Sequence, residues 1–295
     1  MKMRRLNFWR RRQFTGAKDL AMVFAIAGLM FAGVPEPAVA SNAPGQAAGA
    51  GGNGGYASEH QMPKVAVIID DFGNNMKGTE EAMSLPIKLT VAVMPFLPTS
   101  KEDAIEAHKR GHDVLVHLPM EPRHGKPQWL GPGAVMSSLS DEEIHKRVEA
   151  AVDAVPYAVG INNHMGSRIT GDERIMRVVL GVCKERGLFF VDSKTNYHSI
   201  VGQTAQQMGL PRVENHIFLD DIHTSSHVAR QLKLAAQLAS EQNYCITIGH
   251  VGVHGKETAA GIRSGLPDLK NRVQFVGISD LVKEKWKWSP LLTLP

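Results

Sequence analysis

Eight short apolar runs occur along the second part of the chain, and four of them end in an acidic residue, a histidine or a glycine. They are Lys64–Asp70, Leu89–Met94, Asp113–His117, Ala158–Ile161, Leu188–Asp192, Ile217–Leu219, Cys245–Gly249 and Gln274–Ile278. Runs of this length, apolar throughout and rich in β-branched residues, are typical of strands that are covered on both faces. The pattern therefore predicts a parallel sheet.

Stretches with helical spacing of apolar residues separate these runs. They cover Ser100–Arg110, 141–154, Glu173–Arg186 and Ser226–Gln242. Seven or eight strand–helix units favour an α/β fold whose parallel strands close into a barrel, and an open doubly wound sheet is the rival. No glycine-rich phosphate loop follows the first strand, which weighs against that rival as a nucleotide binder.

The first 62 residues follow a different pattern. Residues 1–19 are basic, residues 20–34 are uncharged and apolar, and residues 38–40 offer a small-x-small cleavage site. This order predicts a signal peptide over 1–40, and hence a periplasmic or secreted protein. The apolar run is shorter than the ~20 residues that a membrane span needs, so no stable span is expected after cleavage. An uncleaved anchor is the alternative, and paired arginines leave twin-arginine export open.

The leader also explains the basic charge of the chain. Residues 41–62 are rich in glycine and alanine and predict a flexible linker to a domain over 63–290. The formal net charge is +4, yet residues 1–40 hold seven Lys and Arg against two Asp and Glu, which leaves 26 basic and 27 acidic residues beyond them. A nucleic-acid-binding domain would need a basic patch in its folded part, so no nucleic-acid partner is expected.

Polar residues collect where the predicted strands end. The candidates are Asp70, Asp71, His117, Glu121, His164, Arg168, Asp192, Lys194, Asp220, Asp221 and His250. In a parallel barrel the carboxyl ends of the strands form one rim, and the loops on that rim carry the chemistry. Any one of these residues could be a helix cap or a surface group, but their coincidence at one rim predicts a functional site.

The mixture of side chains points to a metal. Carboxylates and imidazoles together suit Zn²⁺ or another divalent transition metal. Such a metal lowers the pKa of bound water towards ~7 and polarises a carbonyl oxygen. A second carboxylate can accept the proton of the water, and a histidine across the site can protonate the leaving group. This combination predicts hydrolysis of an amide or an ester.

Five segments resemble motifs of the divergent polysaccharide deacetylase family. They read VAVIIDDFG (65–73), GHDVLVHLPMEP (111–122), GINNHMGS (160–167), FFVDSKT (189–195) and TIGHVGVHGKET (247–258). The resemblance covers roughly 63–285 and implies a distorted (β/α)7 barrel. Ordinary members of the wider superfamily remove N- or O-acetyl groups from chitin-like or peptidoglycan sugars, so the resemblance also implies a carbohydrate substrate and a divalent metal, with Zn²⁺ as first choice.

The resemblance assigns roles to individual residues. Asp70 matches the catalytic base, and Asp71 matches the first metal ligand. His117 matches the first histidine of the His-x-x-x-His motif. His250 matches the histidine that acts as general acid, and Asp192 matches the acidic residue of the fourth motif.

Two departures from the family pattern affect the metal site. Glu121 stands where the second histidine ligand belongs, and the Arg-Pro-Pro-Tyr motif is absent. His164 lies in the region of the missing motif, and we expect it to supply the lost imidazole, so that Asp71, His117 and His164 bind the metal. Glu121 and Asp192 remain candidate metal or substrate contacts.

Arg168 and Lys194 are candidates for binding an anionic group, with solvated rim charges as the alternative. The loop Pro119–Ser138 carries Trp129, which is interpreted either as a sugar platform or as a side chain packed onto the barrel.

Three functions therefore remain open for this chain. The first is an exported, metal-dependent carbohydrate deacetylase-like hydrolase acting on an acylated envelope or extracellular polysaccharide. The second is a catalytically inactive carbohydrate-binding or envelope-assembly protein that uses the same rim. The third is a structural protein whose rim cluster is a vestige.

Overall fold

A computed structural model describes residues 62–289. The predicted signal peptide and all but the last residue of the predicted linker lie outside the described residues and stay predictions. The strands are β1 Lys64–Phe72, β2 Thr90–Val93, β3 Asp113–Met120, β4 Ala158–Met165, β5 Phe189–Asp192, β6 Val213–Glu214, β7 Ile217–Phe218, β8 Tyr244–His250 and β9 Gln274–Val276. The helices are α1 Thr79–Met83, α2 Ser100–Lys109, α3 Asp141–Ala154, α4 Glu173–Glu185, α5 Val201–Gln207, α6 Ser225–Gln242, α7 Gly255–Gly265 and α8 Ile278–Trp286.

The strands form one parallel sheet. Its order is β6-β5-β4-β3-β2-β1-β8-β7, and β9 pairs with the first three residues of β1. Helices alternate with the strands along the chain and lie outside the curled sheet, as expected for consecutive strand–helix units. The α/β prediction is therefore confirmed.

The segment 213–218 joins the two edges of this sheet. Its first half, β6, pairs with β5, and its second half, β7, pairs with β8. Between them, the backbone N–H of Asn215 donates to Asp192 O at 2.9 Å, and that of His216 donates to Ile246 O at 3.0 Å. With this segment as one position, seven strands surround the axis, so the distorted (β/α)7 barrel is confirmed over the open doubly wound sheet.

Both faces of the strands are buried, which explains their continuous apolar runs. In β1, Ala66 and Ile68 pack inside the barrel with Leu115 and Ile246. The alternate residues of β1, such as Val67, pack outward in the layer between strands and helices. Because the side-chain period of a strand is two, the next inward position after Ile68 is Asp70, at the upper end of the barrel.

Aromatic residues of the C-terminal segment pack at the opposite end of the barrel. Trp288 packs edge to face against Phe189, with ring centroids 5.6 Å apart, and Trp286 packs in the same way against Tyr244 at 5.7 Å. These contacts cover the amino-terminal ends of the strands and leave the carboxyl ends open. Among the helices that the structure describes, none has the length and apolar character needed to cross a membrane.

Candidate active site

A bulge at the end of β1 turns two consecutive carboxylates towards the same place. Ile69 pairs with Val91 and Phe72 with Val93, so β1 holds one extra residue at this point. Asp71 absorbs the irregularity with a φ of 71°, a left-handed conformation that is uncommon for a side chain other than glycine. Neighbouring strand residues normally face opposite sides, and the bulge is what allows Asp70 and Asp71 to approach one imidazole.

That imidazole belongs to His117 on β3. Its Nε2 lies 3.3 Å from Asp71 Oδ1 and 3.7 Å from Asp70 Oδ2. His164, on β4, brings its Nδ1 to 3.1 Å from the same Asp71 oxygen and to 3.1 Å from His117 Nε2. Three ligand atoms from three strands therefore meet at one point, and these are the residues that the sequence nominated as metal ligands.

The opposite nitrogens of both rings face hydrogen-bond acceptors. Asn162 directs its Nδ2 to Asp70 Oδ1 at 2.8 Å, which leaves its Oδ1 to accept from His117 Nδ1 at 2.9 Å. His164 Nε2 donates to the backbone carbonyl of Trp129 at 2.9 Å. In the neutral rings the remaining nitrogens, His117 Nε2 and His164 Nδ1, thus present lone pairs to the carboxylate.

This arrangement fits a divalent metal. Asp71 Oδ1 is buried and has no hydrogen-bond partner although two nitrogens lie within 3.3 Å. Converging lone pairs repel one another unless a cation lies among them, and ligands of a tetrahedral Zn²⁺ at ~2.1 Å lie about 3.4 Å apart. The hydrogen bonds from Asn162 and Trp129 to the far nitrogens are those that orient metal-binding histidines. Asp71, His117 and His164 would hold the ion.

The charges of the cluster are strongly coupled. Burial opposes ionisation of Asp71, yet the imidazoles of His117 and His164 hold the pKa of this carboxyl well below its usual range. Burial likewise opposes the imidazolium form of His117, but Asp70 and Asp71 raise its pKa. The site therefore attracts positive charge, which a proton or a metal ion can supply.

Asp70 lies beside the three ligand atoms without joining them. Its side chain is 1% exposed, and burial raises its pKa above the ordinary value for an aspartate. Asn162 restrains one oxygen, and the other faces His117. A buried carboxylate with a raised pKa beside a metal site is suited to accept a proton, which is the role predicted for this residue.

His250 is the last residue of β8 and pairs with Asp70 of the neighbouring strand β1. It lines the cavity together with the three candidate ligands. Its Nδ1 bonds to Asp220 Oδ1 at 2.9 Å, while its backbone N–H and the hydroxyl of Thr258 both donate to Asp220 Oδ2. Burial opposes protonation, but Asp220 raises the pKa of His250 to about 9. Near neutral pH the ring therefore carries a proton, as a general acid requires.

A cavity of about 310 Å³ opens onto this cluster. Asp70, Asp71, His117, His164 and His250 line it. The other lining residues come from the end of β4, from the loops after β3, β4 and β5, and from β7: Pro122, His124, Asn163, Met165, Ser167, Ser193, Thr195 and Phe218. A second hollow of about 400 Å³, between the loops after β7 and β8, shares Asp71, Phe218 and His250 with the first. The volume and the convergent polar groups suit a small ligand such as one or two sugar units.

Asp192 does not join the site. It is fully buried, but its Oδ1 accepts from the backbone N–H of Lys194 at 2.8 Å and its Oδ2 accepts from Ser199 Oγ at 2.6 Å. Both oxygens therefore hold the turn that follows β5. Lys194 Nζ lies 3.6 Å from Glu214 and 3.9 Å from Asp192, so its charge is balanced within the fold.

Glu121 is also directed away from the three ligand atoms. Its Oε2 accepts from the backbone N–H of Ser137 at 2.6 Å, and its Oε1 pairs with Arg168 Nε at 3.1 Å. Glu121 and Arg168 thus form an ion pair with each other. Neither is among the described residues that line the cavity. The position that holds a histidine in the superfamily motif here braces the loop after β3.

Two further groups at the site were not assigned roles from the sequence. Asn162 orients His117 and Asp70, and its only signal is that it lies two residues before His164 and hence on the same strand face. Asp220 was recognised as a rim residue but not as the partner of His250. Of the two interpretations of Trp129, packing of its side chain onto the barrel does not hold, because that side chain is 57% exposed, and its backbone carbonyl accepts from His164 Nε2.

A second group of potential ligands lies on the outer surface. His145 and Glu149 on α3 approach Glu185 on α4. His145 Nε2 already bonds to Glu185 at 2.9 Å, and Glu149 pairs with Arg186 at 3.4 Å. These side chains already form ion pairs within the protein, whereas Asp71 Oδ1 has no hydrogen-bond partner.

Comparison with known proteins agrees with this fold. The model of the family described as divergent polysaccharide deacetylase matches residues 67–282. The chain therefore belongs to the divergent polysaccharide deacetylase family, and the resemblance seen in its motifs is confirmed.

Similar proteins occur in bacteria. An uncharacterized protein of Haemophilus influenzae is 34% identical over 218 residues, which are 74% of this chain and 76% of that protein. The uncharacterized protein YibQ of Escherichia coli is 37% identical over 187 residues, 63% of this chain and 58% of that one. The crystal structure of an uncharacterized protein from Agrobacterium tumefaciens has a TM-score of 0.69 at 21% identity and covers 76% of this chain and 91% of its own, which shows a shared fold.

Proposed function

We propose that this chain is an exported, metal-dependent carbohydrate deacetylase-like hydrolase that acts on an acylated envelope or extracellular polysaccharide. The observation that carries the proposal is Asp71 Oδ1, which is buried without a hydrogen-bond partner while two imidazole nitrogens lie 3.1 and 3.3 Å away. A cavity leads from this atom to the rim. Membership of a polysaccharide deacetylase family supports a carbohydrate as the substrate.

The residues divide the chemistry between them. A divalent metal held by Asp71, His117 and His164, with Zn²⁺ as first choice, would supply Lewis acidity to an acyl carbonyl and acidify a water molecule. Asp70, in its ionised form, accepts the proton of the attacking water. His250, held protonated by Asp220, donates a proton to the departing amine or alcohol. Asn162 holds the side chains of Asp70 and His117 in their orientations through hydrogen bonds to both.

Export rests on the leader alone. The order of a basic region, an apolar run and a small-residue cleavage site in residues 1–40 supports a periplasmic or secreted location. Such a location would bring the enzyme to envelope or extracellular polysaccharides. Release of the chain without its first 40 residues into the periplasm or medium, measured by mass spectrometry, tests this part of the proposal.

A sugar-binding protein without turnover is the second candidate. Glu121 favours it, because this residue replaces an imidazole of the superfamily motif and faces Arg168 instead of the metal ligands. The missing Arg-Pro-Pro-Tyr motif favours it as well. The two candidates share the cavity and differ in whether the acyl bond is broken.

Two measurements on the purified full-length chain separate these candidates. Elemental analysis is expected to find about one equivalent of zinc or another transition metal. Acetate release from acetylated chito- and xylo-oligosaccharides is expected to stop on chelation and to return when Zn²⁺ is added back. No metal and no acetate, with oligosaccharide binding retained, would favour the binding protein.

A further inference from the structure

The end of β4 is paired unequally with its two neighbouring strands. On one edge the pairing with β3 continues to Met165, one residue past His164. On the other edge the last residue of β4 that pairs with β5 is Asn162, two residues before His164. Hydrogen bonds other than those of the sheet must therefore hold this edge at His164, the residue expected to replace the missing histidine ligand.

Side chains of the segment after β5 bind the backbone carbonyls on either side of His164. Ser193 Oγ donates to the carbonyl oxygen of Asn163 at 3.0 Å. Thr195 Oγ1 donates to that of Met165 at 2.7 Å. Both hydroxyl hydrogens are therefore committed to the backbone that carries His164, which leaves only oxygen lone pairs for the cavity that the two residues line.

The side chain of Asn163 completes this connection between β4 and the segment after β5. Its Oδ1 accepts from the backbone N–H of Ser193 at 2.9 Å. Its Nδ2 donates to the carbonyl oxygen of Met165 at 2.8 Å and to Thr195 Oγ1 at 3.3 Å. Asn163 and Ser193 are 1% and 2% exposed, so little water competes for the bonds between them. Met165, with a left-handed φ of 57°, is thus held by two donors at its carbonyl.

The backbone held in this way determines where the imidazole of His164 lies. Its Nδ1 is 3.1 Å from Asp71 Oδ1 and 3.1 Å from His117 Nε2. The carbonyl of Trp129 accepts from the far nitrogen at 2.9 Å, a bond that fixes the rotation of the ring but not the place of its backbone. A functional group has to be held within about 0.5 Å of its productive position, and for His164 the backbone contacts supply that restraint.

We propose that Asn163, Ser193 and Thr195 are positioning residues that hold the backbone at His164 where metal binding requires it. None of the three is among the described residues that offer a ligand atom to the cluster, so they act through His164. With this support His164 can replace the histidine whose place Glu121 takes in the superfamily motif. The segments GINNHMGS (160–167) and FFVDSKT (189–195) thus serve one ligand. The inference rests on the proposed function for the metal itself.

The affinity of the full-length chain for Zn²⁺ tests this role, measured by competition with a chromophoric chelator. Ser193→Ala removes the donor to the carbonyl of Asn163, and a double variant with Thr195→Val removes both hydroxyl donors. Ser193→Ala should weaken Zn²⁺ binding by roughly ten-fold, the lower end of the effect of outer partners of metal-binding histidines, and the double variant should weaken it further. The visible absorption of bound Co²⁺ should change as well, because it reports the arrangement of the ligands.

Two further variants separate positioning from general stability. Thr195→Ser keeps the hydroxyl and should keep the Zn²⁺ affinity, whereas Thr195→Val alone should lower it; Thr195 is exposed, so this pair folds even if Ser193→Ala does not. Thr204→Val on α5 is the matched control, because its hydroxyl is 3% exposed and donates to the carbonyl of Ile200 at 3.0 Å. It should lower the melting temperature and leave both the Zn²⁺ affinity and the Co²⁺ spectrum unchanged.

The outcomes separate this inference from the proposed function. Unchanged Zn²⁺ affinity in the Ser193 and Thr195 variants, or an equal loss in Thr204→Val, would overturn the positioning role. A raised KM for the oligosaccharide with unchanged Zn²⁺ affinity would overturn it too and assign the two hydroxyls to the saccharide. Zn²⁺ bound by the wild type and weakened in the variants, without acetate release from any oligosaccharide, would overturn the hydrolase and leave the positioning role standing. A wild type that binds no metal would overturn both.

Discussion

Two aspartates at strand ends of the barrel, Asp71 near the end of β1 and Asp192 at the end of β5, have opposite surroundings. Asp192 has a hydrogen-bond donor for each oxygen, Ser199 Oγ and the backbone of Lys194. Asp71 Oδ1 has two imidazole nitrogens nearby and no hydrogen bond. The first arrangement is complete as it stands, whereas the second needs a cation. A carboxylate at a strand end therefore indicates a functional site only where the protein does not supply hydrogen-bond donors to its oxygens.

The largest effect is expected for His117→Ala. Removing one of three ligand atoms should leave no stoichiometric metal, and activity should fall by more than the roughly 10²–10⁴-fold that a general base supplies. Elemental analysis and acetate release measure both consequences. His145→Ala is the control, because the outer-surface group is completed by its own ion pairs and should hold no metal in either protein. Metal retained by the His117 variant would contradict the assignment.

Asp70→Asn should separate chemistry from metal binding. Asparagine keeps the shape of the side chain but cannot accept the proton, so turnover should fall by roughly 10²–10⁴-fold. The metal content should stay near one equivalent, because the three ligand atoms lie on other side chains. Turnover close to that of the wild type, with metal present, would remove Asp70 from the role of base.

Asp220→Asn should move the pH profile. The carboxylate of Asp220 raises the pKa of His250 to about 9, so a reaction that needs the protonated ring is lost as the pH rises through that value. A charge-assisted hydrogen bond of about 1.5–3 kcal/mol corresponds to roughly one to two pKa units. The alkaline limb should therefore shift to lower pH by about that amount.

The outcome that would contradict this role is an alkaline limb that stays in place in Asp220→Asn. His250→Ala completes the comparison, because it should remove the limb altogether. Asp221→Asn is a suitable control, since the Oδ1 of Asp221 bonds to His227 and not to His250.

The barrel could be predicted because the sequence patterns that indicate its strands and helices each lie within a short stretch of the chain. Strands buried on both faces give continuous apolar runs, and Ser140 with Glu143 marks the start of α3 with the capping box that the structure shows. The closing segment 213–218 was only half predicted. Its first part has just two paired residues, too few for any periodicity to appear.

The site was only partly predictable because its contacts are not local. Position at a strand end identified Asp71, His117 and His164, and they meet as expected. The same criterion nominated Asp192 and Glu121, although their oxygens bond elsewhere in the fold. Which way a side chain points after a strand depends on bulges and left-handed residues such as Asp71, Met165 and Lys194, and spacing alone does not reveal these.

Asp192→Ala tests whether Asp192, whose two oxygens both accept hydrogen bonds within the fold, has only a structural role. The substitution leaves the backbone N–H of Lys194 and the hydroxyl of Ser199 without their acceptor in a buried turn. Unfolding free energy should fall by about 1–3 kcal/mol, while the metal content of the folded protein stays unchanged. Denaturant unfolding measures the loss, and Asp153→Ala, which removes an exposed ion pair with Arg186, should cost less than about 1 kcal/mol. Loss of metal in Asp192→Ala would return this residue to the site.

Glu121→Gln should have the smallest effect and is the sharpest test of the departure from the superfamily motif. Glutamine can still accept from the backbone of Ser137, and the lost ion pair involves Arg168, which is half exposed, so stability should change by less than about 1 kcal/mol. If Glu121 were a metal ligand, replacing its carboxylate by an amide would weaken metal binding at least ten-fold. Unchanged metal affinity would show that Glu121 is not a ligand, as expected if His164, on the next strand, supplies the imidazole that the motif lost.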